Sequence, residues 1–276
     1  MLKQRILTAL ALLAVLLPAL FHDRIEPFAF LTLLLIAAAG WEWGRLNGCG
    51  KIPALLIGLL LGLGLAALWW WAPTLPSQPF WLLVGLSWLV LAALMLRRGV
   101  AGWSAWPRGP RLLFGLFLIA SAWLALVQAR QLGLGFLLSV LTLVWVADIC
   151  AYFGGRRFGR RKLAPTISPG KSWEGVYSGI AGVFLLALGW LWVDARGLTD
   201  HPSLFSRLWA HGALRAVLSV LLLTAMSVAG DLVESLVKRS AGMKDSSQLL
   251  PGHGGVLDRV DALLPVLPLA LLLALD

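Results

Sequence analysis

Acidic residues, cysteines and long polar stretches are what this 276-residue chain has least of. Thirteen Asp and Glu stand against 23 Lys and Arg, and charged residues make up only 13% of the chain. A soluble domain of this length needs far more polar surface, so that class is excluded. The two cysteines, Cys49 and Cys150, fall at the ends of apolar segments. They offer neither a disulfide framework nor a thiolate metal site. No stretch between apolar segments exceeds about 25 residues, which leaves no room for a separate soluble domain. No fixed-period repeat runs through the chain. No A-x-A-like cleavage site follows the first apolar segment, so Lys3, Arg5 and the run after them read as a membrane span rather than a signal peptide.

What is present is apolar: 59% of residues are hydrophobic, with a mean hydropathy of +0.85. Nine segments reach roughly the 17–25 residues that cross a hydrocarbon core of ~30 Å. They cover 5–21, 27–46, 52–72, 80–96, 111–128, 133–150, 174–193, 213–237 and 256–275. The expected fold is an all-α polytopic integral membrane protein of about nine transmembrane helices. With the N-terminus in the cytoplasm and the spans alternating, only Arg24, Arg130, Arg196, Arg207 and Arg215 of the 23 Lys and Arg fall on the far side. That asymmetry is the positive-inside pattern. It accounts for the net charge of +10 without invoking a nucleic acid. The chain reads as one domain over 1–276, with helices over 1–130 as scaffold and 133–276 carrying the site. Trp69, Trp70, Trp71, Trp81, Trp103, Trp106 and Trp192 fall at expected span ends, where indole rings settle among headgroups.

Six acids, Glu42, Asp148, Asp231, Glu234, Asp258 and Asp261, lie within or at the ends of apolar segments. A carboxylate there costs several kcal/mol unless it is paired, hydrated or metal-bound. Asp258 and Asp261 are three apart and share a helix face; Asp231 and Ser235 are four apart on the preceding helix. Hard oxygens converging on a phosphate-binding pocket suit Mg²⁺, which takes one or two carboxylates and keeps waters. Spacing alone leaves open whether these acids hold a metal or pair with Lys238, Arg239 and Arg259. Glu42, in W-E-W-G-R, either partners Arg45 one turn along or lines the pocket, and the partner reading is preferred.

Basic residues and turns favour an anion site. Lys238, Arg239, Lys244 and Arg259 exceed what the nearby acids require, and residues 154–175 add six more cations among Gly and Pro turns. Ser168-Pro169-Gly170-Lys171-Ser172 enters a helix N-terminus, which favours bound anions. In Gly252-His253-Gly254-Gly255 the glycines let backbone N–H groups approach a phosphate. Such a site takes phosphate-rich ligands, one of them a lipid headgroup.

Ser235-x-x-Lys238-Arg239, Lys244-Asp245 and Pro251-x-His253-Gly254-Gly255-x-x-Asp258-Arg259-x-Asp261 together span 27 residues. They resemble the C-terminal signature of the phosphatidate cytidylyltransferases, and residues 147–175 resemble that family's central segment. The resemblance implies transfer of a cytidylyl group from CTP to phosphatidate, with Mg²⁺ as cofactor and room for a monovalent cation such as K⁺. It implies that Asp231, Asp258 and Asp261 hold the metal, and that Lys238, Arg239, Lys244 and Arg259 hold the phosphates. Ser235 either ligates or orients Asp231, while Ser168, Lys171, Gly254 and Gly255 bind substrate. Two roles stay open: His253 as a structural residue of the turn, a phosphate donor or a general base, the last disfavoured because a phosphatidate dianion needs little deprotonation, and Asp148, which Ile149-Cys150 follows where relatives often carry Thr and a small residue. The family further suggests a homodimer, and the composition a bacterial inner membrane with the site at the cytoplasmic face. Rival readings are a polyprenol kinase, a cytidylyltransferase for another lipid phosphate, or an ion-coupled transporter. A CDP-alcohol phosphotransferase is disfavoured because D-G-x-x-A-R is absent.

Overall fold

A computed structural model describes residues 2–71 and 76–275. The side chains of Lys3 and Arg5 lie outside the described set. The elements in chain order are α1 Leu2–Phe21, α2 Glu26–Leu46, α3 Lys51–Trp71, α4 Gln78–Ser104, α5 Arg108–Gln131, α6 Leu134–Phe158, β1 Lys162–Ala164, β2 Ser168–Ser172, α7 Trp173–Ala195, α8 Leu204–Ala210, α9 Ala213–Ser240, α10 Leu257–Val260 and α11 Leu263–Ala274. The reason is general: in hydrocarbon every backbone N–H and C=O must be satisfied within the segment, so apolar runs become helices.

Among the described residues seven helices, α2 to α7 and α9, are long and apolar enough to cross a bilayer. The first expected span appears as a shorter apolar helix, Ile6–Phe21. The last is interrupted. α10 has four residues; Asp261 and Ala262 after it keep helical dihedrals, with Asp261 Oδ1 taking the Ala262 N–H at 2.8 Å before α11. The 12 residues of α11 then reach about 18 Å at 1.5 Å per residue, short of a full crossing.

Helix α9 is the hub, packing against α4 and α11 and also against α6, α7 and α8. α6 and α7 form the closest-packed pair. At Gly179 a Cβ would stand 2.9 Å from the Ala147 carbonyl oxygen, so glycine lets the two backbones touch. Between them the Gly- and Pro-rich segment folds as an antiparallel hairpin, Lys162 facing Ser172 and Ala164 facing Ser168. Ser172 caps α7, its Oγ accepting the Gly175 N–H at 3.2 Å. Glu174, at the start of α7, ties the hairpin back by accepting the Arg160 and Arg161 amides.

The tryptophans divide. Trp70 and Trp71 are about four-fifths exposed at the end of α3. Trp81 and Trp103 are instead core residues. Trp81 Nε1 donates to Gln128 Oε1 at 3.0 Å, and Trp103 stacks beside Trp43 and Trp106. A buried polar partner and aromatic neighbours outweigh the interfacial preference at these two positions. Cys49 and Cys150 are free thiols.

Candidate active site

The end of the bundle where α6 and α9 finish and α7 begins holds a polar cleft of about 650 Å³, lined by Asp148, Arg156, Lys162, Ser168, Lys171 and Asp231 among others. Each side chain comes from a different local device. Asp148 lies nearly three turns before the end of α6, Ser168 and Lys171 project from the hairpin, and Asp231 stands two turns before Lys238 near the polar end of α9. Lys171 Nζ is 2.6 Å from Asp231 Oδ2. Ser235 Oγ donates to Asp231 Oδ1 at 3.2 Å, so in this arrangement Ser235 orients the acid. Asp148 is within electrostatic reach of both Lys171 and Asp231. Asp261 is within reach of Asp231 and Asp148. Asp148 and Asp231 thus share the cleft with the Lys171 ammonium, while Asp261, whose backbone carbonyl packs against Gly230, lies within reach of them and of Lys238. Such an arrangement favours cations.

Asp258 is held by protein donors. Its Oδ1 meets Lys238 Nζ at 2.6 Å. Its Oδ2 accepts from the Ser246 and Gly255 amides, each at 2.8 Å, and from the Ser246 hydroxyl at 2.9 Å. Lys238 also pairs with Glu234 one turn back on α9. This group is enclosed: the side chains of Lys238, Glu234 and Asp258 are 12%, 6% and 5% exposed. Burial would push the Asp258 carboxyl up. The Lys238 ammonium and the Gly255 and Ser246 amides more than offset it and hold it below the usual carboxylate range. The oxygens that the sequence assigned to a metal are therefore already occupied by protein donors. The ammonium assigned to phosphate sits between two carboxylates. Among the described residues, no group of three or more His, Cys, Asp or Glu side chains forms a ready-made metal centre.

Glu42 differs most from expectation. Arg45 lies over the Trp41 ring at 5.0 Å instead of pairing with it. Glu42 is fully buried and accepts from the hydroxyls of Ser246 and Ser247 and the amides of Val256 and Leu257. This explains the glycine pair. A Cβ at Gly255 would fall 2.1 Å from Ser246 Oγ and 2.2 Å from Glu42 Oε1. At Gly254, with φ +84°, a Cβ would fall 2.6 Å from Asp258 Oδ2. The N–H groups beyond these glycines do approach anions, and those anions are Glu42 and Asp258.

The remaining expected residues surround these two groups. Lys244 lines a second, open cleft of about 590 Å³ with Trp41, Arg45 and Asp245. Arg239 and Arg259 are exposed. His253 is half-buried in a turn closed by its own amide on the Leu250 carbonyl at 2.8 Å. Sequence reasoning left out Glu42, Glu234, Ser246 and Ser247 as site residues. The signal for the two glutamates was present, since an acid inside an apolar segment demands a partner.

Residues 3–275 match a family model described as the cytidylyltransferase family. A Pseudomonas aeruginosa protein named phosphatidate cytidylyltransferase is 42% identical, over 97% of this chain and 95% of its own length. A Haemophilus influenzae protein of the same name is 38% identical, over 97% of this chain and 96% of its own. One from Brucella melitensis is 34% identical over 79% of this chain and 83% of its own. An alignment that runs from the first helix to the last, and so takes in the cleft, the hairpin and both carboxylate groups, leaves one conclusion: the chain belongs to the cytidylyltransferase family.

Proposed function

We propose that this protein transfers a cytidylyl group from CTP to phosphatidate, giving CDP-diacylglycerol and pyrophosphate. The observation that carries the reading is the polar cleft at one end of the apolar helices, where Arg156, Lys162 and Lys171 surround Asp148 and Asp231. A lipid phosphate held at the end of a span can meet a water-soluble nucleotide there. The family relationship points to the same chemistry. The N-terminus and the cleft face the cytoplasm of a bacterial inner membrane, where CTP is available, and the protein assembles as a homodimer.

The residues supply binding and charge rather than a covalent relay. Arg156, Lys162 and Lys171 neutralise the triphosphate. Lys171 exchanges its contact with Asp231 for a phosphate oxygen. A phosphatidate phosphate oxygen attacks the α-phosphorus of CTP in line. The new P–O bond forms as the bond to the bridging oxygen breaks, and pyrophosphate leaves with that electron pair. No general base is needed, because the attacking oxygen is already anionic. Asp148 and Asp231 line the cleft, and with Asp261, whose backbone carbonyl packs against Gly230, they would offer hard oxygens to Mg²⁺, which takes one or two carboxylates and keeps its waters. Bound there, Mg²⁺ would neutralise charge developing on the phosphates. Asp258 then serves to build the loop rather than to ligate.

The test is direct. Detergent-purified protein is incubated with radiolabelled CTP, phosphatidate and Mg²⁺, and the lipid phase is counted. Labelled lipid dependent on phosphatidate is expected. A well-folded preparation that leaves all label in the aqueous phase would overturn the reading. Light scattering of the same preparation reads the dimer.

A further inference from the structure

We propose that Glu42 is a positioning residue for this reaction: reaching from α2, it fixes the segment 246–257 and so sets where α10 delivers Asp261 to Asp231 and Asp148. The inference rests on the proposed cytidylyl transfer for its kinetic part alone.

Glu42 comes from the N-terminal half of the chain, which the sequence reading left as scaffold. Its carboxylate is fully buried, and no cation pairs with it among the ion pairs of the described residues. All four of its partners are neutral donors. Two of them, the amides of Val256 and Leu257 at 2.9 and 2.8 Å, belong to the start of α10, which has no side-chain cap of its own. Glu42 caps that helix from another part of the fold. The other two are hydroxyls: Ser247 Oγ at 2.5 Å and Ser246 Oγ at 3.1 Å. Ser246 also reaches Asp258 Oδ2 at 2.9 Å, so one hydroxyl proton serves two carboxylates. Glu42 and Asp258 thus grip the loop from opposite sides, and Lys238 anchors Asp258 to α9. Asp261 follows three residues after Asp258, its amide bonded to the Leu257 carbonyl at 3.0 Å, so its position depends on the residue that Glu42 holds.

The substrate cations belong to a different device. Lys162 and Lys171 stand on the β1–β2 hairpin between α6 and α7, which makes no hydrogen bond to Glu42. Loss of Glu42 should therefore displace the carboxylate cluster without emptying the phosphate-binding side. That separation sets the signature: kcat falls while KM for CTP stays near its original value.

The experiment uses the full chain with Glu42→Gln and Ser247→Ala. Glutamine keeps the size but offers one acceptor oxygen. A serine hydroxyl can rotate to accept from the new NH₂ group, whereas a backbone amide cannot. In Glu42→Gln either the Val256 or the Leu257 amide loses its acceptor and should exchange hydrogen faster, read by mass spectrometry on peptides covering 246–258. A drop in kcat of about 100-fold is expected, the scale of a small misplacement of reacting groups, with KM for CTP changed less than about threefold. Ser247→Ala, which removes one donor and keeps Glu42, should show the same pattern at smaller amplitude. It serves if Glu42→Gln does not fold. Unchanged exchange across 246–258, or full kcat per folded molecule, in the variant that folds would overturn the proposal. Should the parent protein make no labelled lipid, the catalytic reading fails and the exchange measurement still decides whether Glu42 holds the loop.

Discussion

Lys238 offers the clearest separation between a cation that binds substrate and one that builds the site. Its ammonium lies 2.6 Å from Asp258 and also against Glu234, with the side chain 12% exposed. Lys238→Met keeps the length of the stem and removes the charge. Two enclosed carboxylates are then left facing each other. Breaking a buried pair by deleting one partner costs about 3–5 kcal/mol, because the survivor stays desolvated and uncompensated. For a chain of this size that corresponds to a fall in apparent melting temperature on the order of 10 °C. The intrinsic fluorescence of the 15 tryptophans reports it during a temperature ramp in detergent. A second substitution gives the internal control. In Lys238→Met/Glu234→Gln one orphaned charge is gone, so the double variant should recover part of the loss, with a coupling of about 0.5–3 kcal/mol. A Lys238→Met protein that melts within about 2 °C of the parent while its KM for CTP rises severalfold would refute the reasoning. Lys238 would then be a substrate cation after all.

Two further predictions probe the neighbouring contacts. Lys171→Ala removes the ammonium 2.6 Å from Asp231. One charged hydrogen bond to a phosphate, about 1.5–3 kcal/mol, should be lost, raising KM for CTP roughly 10- to 100-fold in initial-rate assays. An unchanged KM would leave Lys171 with a purely structural role. Gly255→Ala places a methyl 2.1 Å from Ser246 Oγ and 2.2 Å from Glu42 Oε1. Overpacking there should cost about 1–3 kcal/mol in thermal stability. The matching change at Gly109, where a Cβ meets nothing within 4 Å, should cost far less.

The relation between chain and fold follows from which interactions are local. Apolar runs are long, and the membrane admits no alternative to helix, so α2 to α7 and α9 could be read from hydropathy, although α4 and α6 run on to Ser104 and Phe158, well past the expected ends at 96 and 150. The clustered cations and the Gly- and Pro-rich stretch likewise announced the polar end, where Arg156, Lys162 and Lys171 line a cleft. The β-hairpin inside that stretch is not legible in the sequence, because three- and five-residue strands leave almost no alternation to detect. Spacing put Asp258 and Asp261 on one helical turn, and the backbone there is helical, with the Asp261 amide on the Leu257 carbonyl; what spacing did not give is that Lys238, Ser246 and Gly255 already occupy the Asp258 oxygens. Trp81 looked interfacial beside a proline-rich turn, yet Gln128, 47 residues away, supplies a buried partner.

Sequence by itself determined the class of molecule, its helices and the chemistry of its polar end, since each of those depends on residue types close together in the chain. Tertiary structure alone decided what each acid does. Glu42 meets Ser246 and Leu257 across 204 and 215 residues of chain, and no local pattern encodes a contact of that range. A buried carboxylate takes whichever donors the fold brings to it, and those donors are known only when the helices have packed.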